Sequence, residues 1–232
     1  MIPLRDSVPS HSTPVVTLGI IAVNVAAFLY EISLDSFSLN HFLLDYGVIP
    51  HNFWASGLPA FFTDGPRLLT SMFLHGGWLH LIGNMWFLWI YGDNVEDILG
   101  RYKYLLFYLG CGVAAALAQV VASPGSRVPT IGASGAIAGV MGAYLIKFPH
   151  SRISTLIWIF FFVTIIEVPA TLILLYWLFI QVVSSVYEVG FSAAQTGGTA
   201  WFAHVGGFLA GMGLILLLGT RDRYRRNRVV HW

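Results

Sequence analysis

Long apolar runs alternate with short polar breaks along nearly the whole chain, on the length scale of a lipid bilayer. A helix that crosses a bilayer needs about 20 mostly apolar residues. Pro14 to Tyr30, Trp78 to Gly92, Tyr104 to Ala122, Ile131 to Ile146 and Ala200 to Gly219 each read as such a helix, some completed by polar ends. The run from Ile153 to Tyr187 is nearly long enough for two spans but is interrupted by Glu167-Val168-Pro169. Proline disfavours helical geometry in the residue before it and suits a helix start, so Pro169 to Tyr187 is predicted as one helix. Ile153 to Ile166, about 14 residues, has the length of an interfacial or re-entrant element and is predicted to fold back along the membrane face.

Six crossings follow, with both termini on one side. Basic residues assign that side by the positive-inside rule: Arg221, Arg223, Arg225, Arg226 and Arg228 follow the last span, Arg101 and Lys103 the second, Lys147 and Arg152 the fourth. All are expected to be cytoplasmic. The loop from Glu31 to Gly77 carries Glu31, Asp35, Asp45 and Asp64 against Arg67 alone, which suits the outer side. It also carries Phe37, Phe42, Tyr46, Phe53, Trp54, Phe61 and Phe62. Two readings of these aromatics stand: a loop lying partly in the outer leaflet, where aromatic residues collect, or the core of a small folded loop. Residues 1–13 read as a short cytoplasmic N-terminus, 14–219 as the six-span domain and 220–232 as a basic cytoplasmic tail. The first apolar run leads into Tyr30-Glu31 without a small-residue cleavage site, so it is expected to be a retained span.

Composition agrees with this setting. Hydrophobic residues make up 56% and charged residues 10% of the 232, with a mean hydropathy of +0.73, whereas a soluble domain is about 25% charged. An integral membrane protein is expected. The net charge of +1 identifies no partner, and neither nucleic acid nor nucleotide is expected. The lone Cys111, inside an apolar run, excludes an internal disulfide and reads as packing.

A bilayer core disfavours polar groups, so those retained there are functional candidates. Ser134, in Gly132-Ala133-Ser134-Gly135, heads one apolar segment and His204 stands near the start of another. At matching depths they suggest a nucleophile and its base. His80 and Asn84 are spaced i, i+4, on one helix face, and His75 lies just before them. Acyl transfer needs donors for an oxyanion, which an imidazole and a carboxamide can supply. Equally open is a structural reading, in which Asn84 bonds a neighbouring helix and His80 caps the span. Gly135 and Gly139, with Gly142 beyond, and Gly207 and Gly211 form small-residue stripes that let helix backbones approach. Against a transporter, no charged residue lies mid-span and no inverted repeat is visible. Against a metal hydrolase using His75, His80 and His204, the His-Glu-x-x-His pattern and a nearby carboxylate ligand are lacking; no metal or other cofactor is expected.

These residues resemble, in order, the three hallmarks of the rhomboid intramembrane serine proteases: His80-Leu81-Ile82-Gly83-Asn84, Gly132-Ala133-Ser134-Gly135, and Ala203-His204-Val205-Gly206 followed by Gly207 and Gly211. Arg67 resembles the arginine of the family's Trp-Arg motif, with Pro66 in the tryptophan position. The likeness includes Gly92-Asp93-Asn94-Val95-Glu96-Asp97 and Glu167-Val168-Pro169-Ala170, and runs from residue 14 to 219.

The resemblance implies an all-α integral membrane fold: a six-transmembrane-helix rhomboid-like bundle of the basic bacterial type, with a long, partly membrane-embedded first loop. It implies that Ser134 is the nucleophile and His204 the general base and then acid, without a third carboxylate. The oxyanion hole would comprise His80, Asn84 and the backbone N–H groups of Ser134 and Ala133. Gly132, Gly135, His75, Arg67 and Gly207 would support the site, which opens to the outer face. An aromatic often stacks on the base from one turn after the serine, but Ala138 stands there, so another side chain is expected to orient His204. The helix after Pro169 would be the lateral gate, with Trp177 and Phe179 as latch residues or as lipid-facing aromatics. Substrates would be single-span or other transmembrane proteins, cut within the bilayer. A rival is a proteolytically inactive rhomboid-like protein that binds membrane segments or assists their trafficking; such relatives typically lose the serine or histidine, and this chain keeps both.

Overall fold

Without water to satisfy backbone groups, a buried chain must bond them internally, and the apolar runs do so as helices. The computed structural model describes residues 2–55, 63–159, 162–191 and 200–221; Phe61, Phe62, Arg223, Arg225, Arg226 and Arg228 lie outside these ranges. In chain order the elements are β1 (Ile2–Asp6), α1 (Val15–Ser33), α2 (Ser36–Tyr46), α3 (Pro50–Ala55), α4 (Arg67–Thr70), α5 (Trp78–Leu99), α6 (Arg101–Ala122), α7 (Ser134–Lys147), β2 (Arg152–Ile159), β3 (Phe162–Pro169), α8 (Ala170–Phe191) and α9 (Trp201–Leu217). Among the described residues α1, α6 and α8 are long and apolar enough to cross a membrane, while α7 and α9 are shorter apolar helices.

Helix α7 is the central element, with every residue from Gly135 to Tyr144 buried. Helices α5, α6 and α9 surround it, and α8 packs on α7 and α9. Much of the outer surface of α8 is exposed and apolar, including Leu172, Leu175, Phe179, Val182 and Val186. That pattern suits a helix with one face in lipid.

The acidic run at the end of α5 is a structural clamp. The Glu96 carboxylate accepts hydrogen bonds from the Val16 and Thr17 backbone N–H groups at 3.0 and 2.8 Å and from the Thr17 hydroxyl at 2.9 Å. A carboxylate there satisfies free amides and complements the positive end of the α1 dipole. Asp97 accepts from the Ser12 hydroxyl and the His11 N–H. Gly100, at φ +77°, turns the chain from α5 into α6.

The all-α expectation requires a correction. Ile153 to Ile166 does not cross the bundle, but it forms neither a helix nor an irregular re-entrant loop: β2 and β3 pair antiparallel from Arg152↔Pro169 to Ile159↔Phe162, and β1 joins the other edge of β2. The segment is rich in β-branched and aromatic residues, which favour a pleated strand. Ile153 and Thr155 are buried two residues apart, while Trp158, Val163 and Ile165 are exposed. The sheet ties the N-terminal strand to the end of the bundle where α7 finishes and α8 begins, closed there by the Ala170 N–H to the Ser151 carbonyl.

In the first loop, Asp35 caps α2 by accepting from the Phe37 and Ser38 N–H groups. Of its aromatics, Phe53 packs into a small cluster with Val48, Leu68 and Val120, whereas Phe37, Tyr46 and Trp54 are exposed. The Trp54 indole donates to the Val120 carbonyl at 2.9 Å.

Candidate active site

Close backbone packing sets the frame of the site. A Cβ on Gly207 would collide with the Gly135 carbonyl, one on Gly211 with the Gly139 carbonyl, and one on Gly142 with the Phe208 carbonyl. Helices α7 and α9 therefore touch backbone to backbone along the two glycine stripes. On another side of α7, a Cβ on Gly139 would meet Cys111 of α6 at 2.5 Å, so the buried cysteine is a packing group.

This contact brings Ser134, the first residue of α7, to His204 in the first turn of α9. The distance from Ser134 Oγ to His204 Nε2 is 2.7 Å. His204 is 8% exposed. The start of its helix is tied to α6, where the Gln119 carboxamide oxygen accepts from the Ala203 N–H at 3.2 Å.

Gly132 adopts φ +120°, in the region that favours glycine, and its N–H donates to the Ser71 carbonyl at 2.8 Å. A Cβ there would lie 2.7 Å from His80 Nε2 and 3.7 Å from Asn84 Nδ2, so both side chains face the backbone just before the serine. His80 Nδ1 accepts the Gly76 N–H at 3.3 Å, which leaves the proton on Nε2. Asn84 is buried, and its side-chain nitrogen has no hydrogen-bond partner among the described residues. The Ser134 N–H belongs to the first turn of a helix, where amides lack intrahelical acceptors. Three N–H donors thus lie beside the Ser134 hydroxyl.

The remaining expected residues divide. The His75 ring packs edge-on against His80 with centroids 5.1 Å apart, and the His75 backbone N–H donates to the Glu31 carboxylate at 3.2 Å. Burial, reinforced by His80, pushes the His75 imidazole down to about 4. Gly135 fits between α7 and α6, where a Cβ would meet that of Ala115 at 2.5 Å. Arg67 is not brought to the dyad; it pairs with Asp64 at 2.7 Å in the first loop.

A cavity of about 1140 Å³ is lined by Ser134, His204, His80 and Asn84, and extends between Gly83 and Phe87 of α5 and Val183 and Tyr187 of α8. Of the two latch candidates, Trp177 turns inward onto His204, ring centroids 5.6 Å apart, and stacks on Phe208 at 6.1 Å. Phe179 is exposed and does not line the cavity. Ala138 is fully buried, and His204 is instead bounded by Trp177, Trp201 and Gln181. The Gln181 Oε1 lies 2.7 Å from His204 Nδ1. Sequence reasoning passed over Gln181, although a signal existed: it is a polar residue mid-span, on the same helix face as Trp177 and Ser185. Among the described residues, no group of three His, Cys, Asp or Glu side chains could hold a metal ion.

The fold and this constellation define a helical membrane protein with a serine and a histidine in contact at one end of its bundle. The family model for the rhomboid domain matches residues 64–221, and the chain belongs to the rhomboid family. It is 46% identical over 79 residues to the rhomboid protease GluP of Bacillus subtilis, covering 34% of this chain and 15% of that protein. It is 32% identical over 103 residues to the mitochondrial presenilin-associated rhomboid-like protein of Bos taurus, covering 40% of this chain and 27% of that one. The chain thus spans less than a third of the length of either relative.

Proposed function

We propose that the chain is an intramembrane serine endopeptidase that hydrolyses peptide bonds in or near the transmembrane segments of other membrane proteins. The observation that carries this reading is the 2.7 Å contact between Ser134 Oγ and His204 Nε2, beside a cavity into which the unpartnered Asn84 amide faces. The relative named a rhomboid protease supports it. The proposed protein has six spans in the cell membrane, with both termini cytoplasmic and the site opening to the outer face.

Ser134 Oγ attacks the scissile carbonyl carbon as its proton passes to His204 Nε2. Negative charge builds on the carbonyl oxygen, where His80 Nε2–H, Asn84 Nδ2–H and the Ser134 N–H, with that of Ala133, stabilise it. As the C–N bond breaks, His204 Nε2–H protonates the departing amine and Ser134 holds the acyl group as an ester. Water then attacks the ester with His204 again as base, releasing the acid and restoring Ser134. An intact helix hides its carbonyls in hydrogen bonds, so a cleavable segment needs helix-weakening residues near its outer end.

The test is cleavage of a panel of single-span substrates by purified protein in liposomes. Ser134→Ala and His204→Ala should each abolish cleavage without unfolding the protein, and the double change should be no worse than either single one, because groups that act as a unit are not additive. A folded Ser134→Ala protein that still cleaves the panel ends the serine-protease reading.

A further inference from the structure

We propose that Gln181 is the positioning residue of the histidine: it fixes which nitrogen of His204 carries the proton and holds the ring toward Ser134. The proposal rests on the protease reading above and adds a third member to it, on a different helix from either partner.

Gln181 is 5% exposed, on a helix whose opposite face is apolar and exposed. A carboxamide that ends inside a membrane bundle needs partners for both its ends, and Gln181 has them. Its Nε2 donates to the Trp177 carbonyl one turn earlier at 3.2 Å, and its Oε1 faces His204 Nδ1 at 2.7 Å. The first bond orients the amide, because the flipped form would set two carbonyl oxygens against each other and lose a donor. An oxygen held at 2.7 Å from Nδ1 requires a proton there. Nε2 is then left with its lone pair, directed at the Ser134 hydroxyl 2.7 Å away. This is the tautomer that a base needs in order to take the serine proton.

Helix α8 supplies the rest of the mount. Trp177 lies against the ring face at an interplanar angle of 39°, and the Ser185 hydroxyl donates to the Gln181 backbone carbonyl at 2.8 Å. A neutral amide suits the place. A carboxylate would bring a charge that is costly to bury and would oppose the Trp177 carbonyl. The amide sets geometry and tautomer without full compensation of the imidazolium charge. Gln181 therefore acts on the chemical step and leaves substrate affinity alone.

The experiment uses the full chain in detergent and in liposomes, with Gln181→Met, which keeps length and burial but has no strong acceptor, and Gln181→Glu, which keeps the acceptor and adds charge. Readouts are the rate of Ser134 labelling by a fluorophosphonate, kcat and KM on a substrate that the wild type cleaves, and the pH profile. Gln181→Met should lower kcat and the labelling rate together, by roughly ten- to a hundredfold, the worth of one such hydrogen bond, with KM within about twofold. Gln181→Glu should recover labelling and move the acidic limb of the profile upward by at least about half a pH unit, since a nearby carboxylate favours the imidazolium. Wild-type kcat and labelling in a folded Gln181→Met protein overturn the proposal. If that variant fails to fold, the acidic limb of Gln181→Glu decides, and an unmoved limb overturns it. A wild type that neither labels nor cleaves sinks the protease reading itself, a result distinct from either of these.

Discussion

At the scale of single residues, Asn84 carries the plainest contradiction between stability and purpose. A buried donor without a partner costs about 1–3 kcal/mol, and the Asn84 amide nitrogen is such a donor beside Ser134. An oxyanion would supply the missing acceptor. Asn84→Ala should therefore slow turnover by about 100-fold to 1000-fold, the usual loss for one oxyanion donor, while the melting temperature stays level or rises. A variant that melts earlier and turns over normally would return Asn84 to helix packing. His75 shows the opposite economy, a neutral ring whose burial opposes its proton. Its folded value, about 4, lies below the ordinary 6.5. The unfolded chain thus binds the extra proton first, and this contribution to stability, intact above pH 6.5, is lost as pH falls toward 4. Melting temperatures across that window should fall less steeply in His75→Phe than in the wild type. Ser134 and His204 stood out in the sequence because polar groups are conspicuous within apolar runs, whereas His80 and Asn84 were evenly open to a structural reading until the resemblance was drawn. Gln181 escaped because one neutral amide carries no motif, and its partner lies on another helix.

At the scale of elements, two glycines two positions apart on α9 separate packing from propensity. A Cβ at Gly211 would strike the Gly139 carbonyl, whereas one at Gly213 meets nothing within 4 Å among the described residues. Gly211→Ala should force α7 and α9 apart, costing about 1–3 kcal/mol and pulling His204 from Ser134. Gly213→Ala should leave activity unchanged and hold or raise the melting temperature by relieving a helical glycine. Equal effects of the two changes would remove the close-contact account. The starts of α5, α6 and α9 were readable to within a few residues from apolar length, and α8 begins at Ala170, one residue after the Pro169 start expected from proline's preference for a helix start. Helix α7 begins at Ser134 rather than Ile131, since Gly132 holds a conformation no helix continues. The hairpin was not readable, because a short apolar run has no periodicity that separates a strand from a buried helix. Its pairing is partly non-local, since the outer edge of β2 is covered by β1, distant in sequence.

At the scale of the whole molecule, long-range bonds sort the helix ends onto two faces. The Arg221 N–H meets the Ile98 carbonyl at 2.7 Å, Lys103 reaches the Gly219 carbonyl at 2.9 Å, and β1 pairs with β2. The N-terminal strand, the α5–α6 turn, the end of α7, the start of α8 and the end of α9 therefore share one face, where Arg101, Lys103, Lys147 and Arg152 also gather. On the proposed topology that face is cytoplasmic by the positive-inside rule, and Ser134 and His204 enter from the other. Single cysteines in a Cys111→Ser background test this without any substrate. A cysteine at Gly125, where a Cβ meets nothing within 4 Å among the described residues, should react with an impermeant reagent from outside. Cysteines at Ser10 and His150 should react only after the membrane is opened, and one at Thr164 on β3 should share the sidedness of His150. If Thr164 labelled from outside, the segment after α7 would have to cross, and the β1–β2–β3 sheet could not hold. If Gly125 and His150 labelled from the same side, α7 would not span, and a serine at its head could not receive a substrate from the outer leaflet.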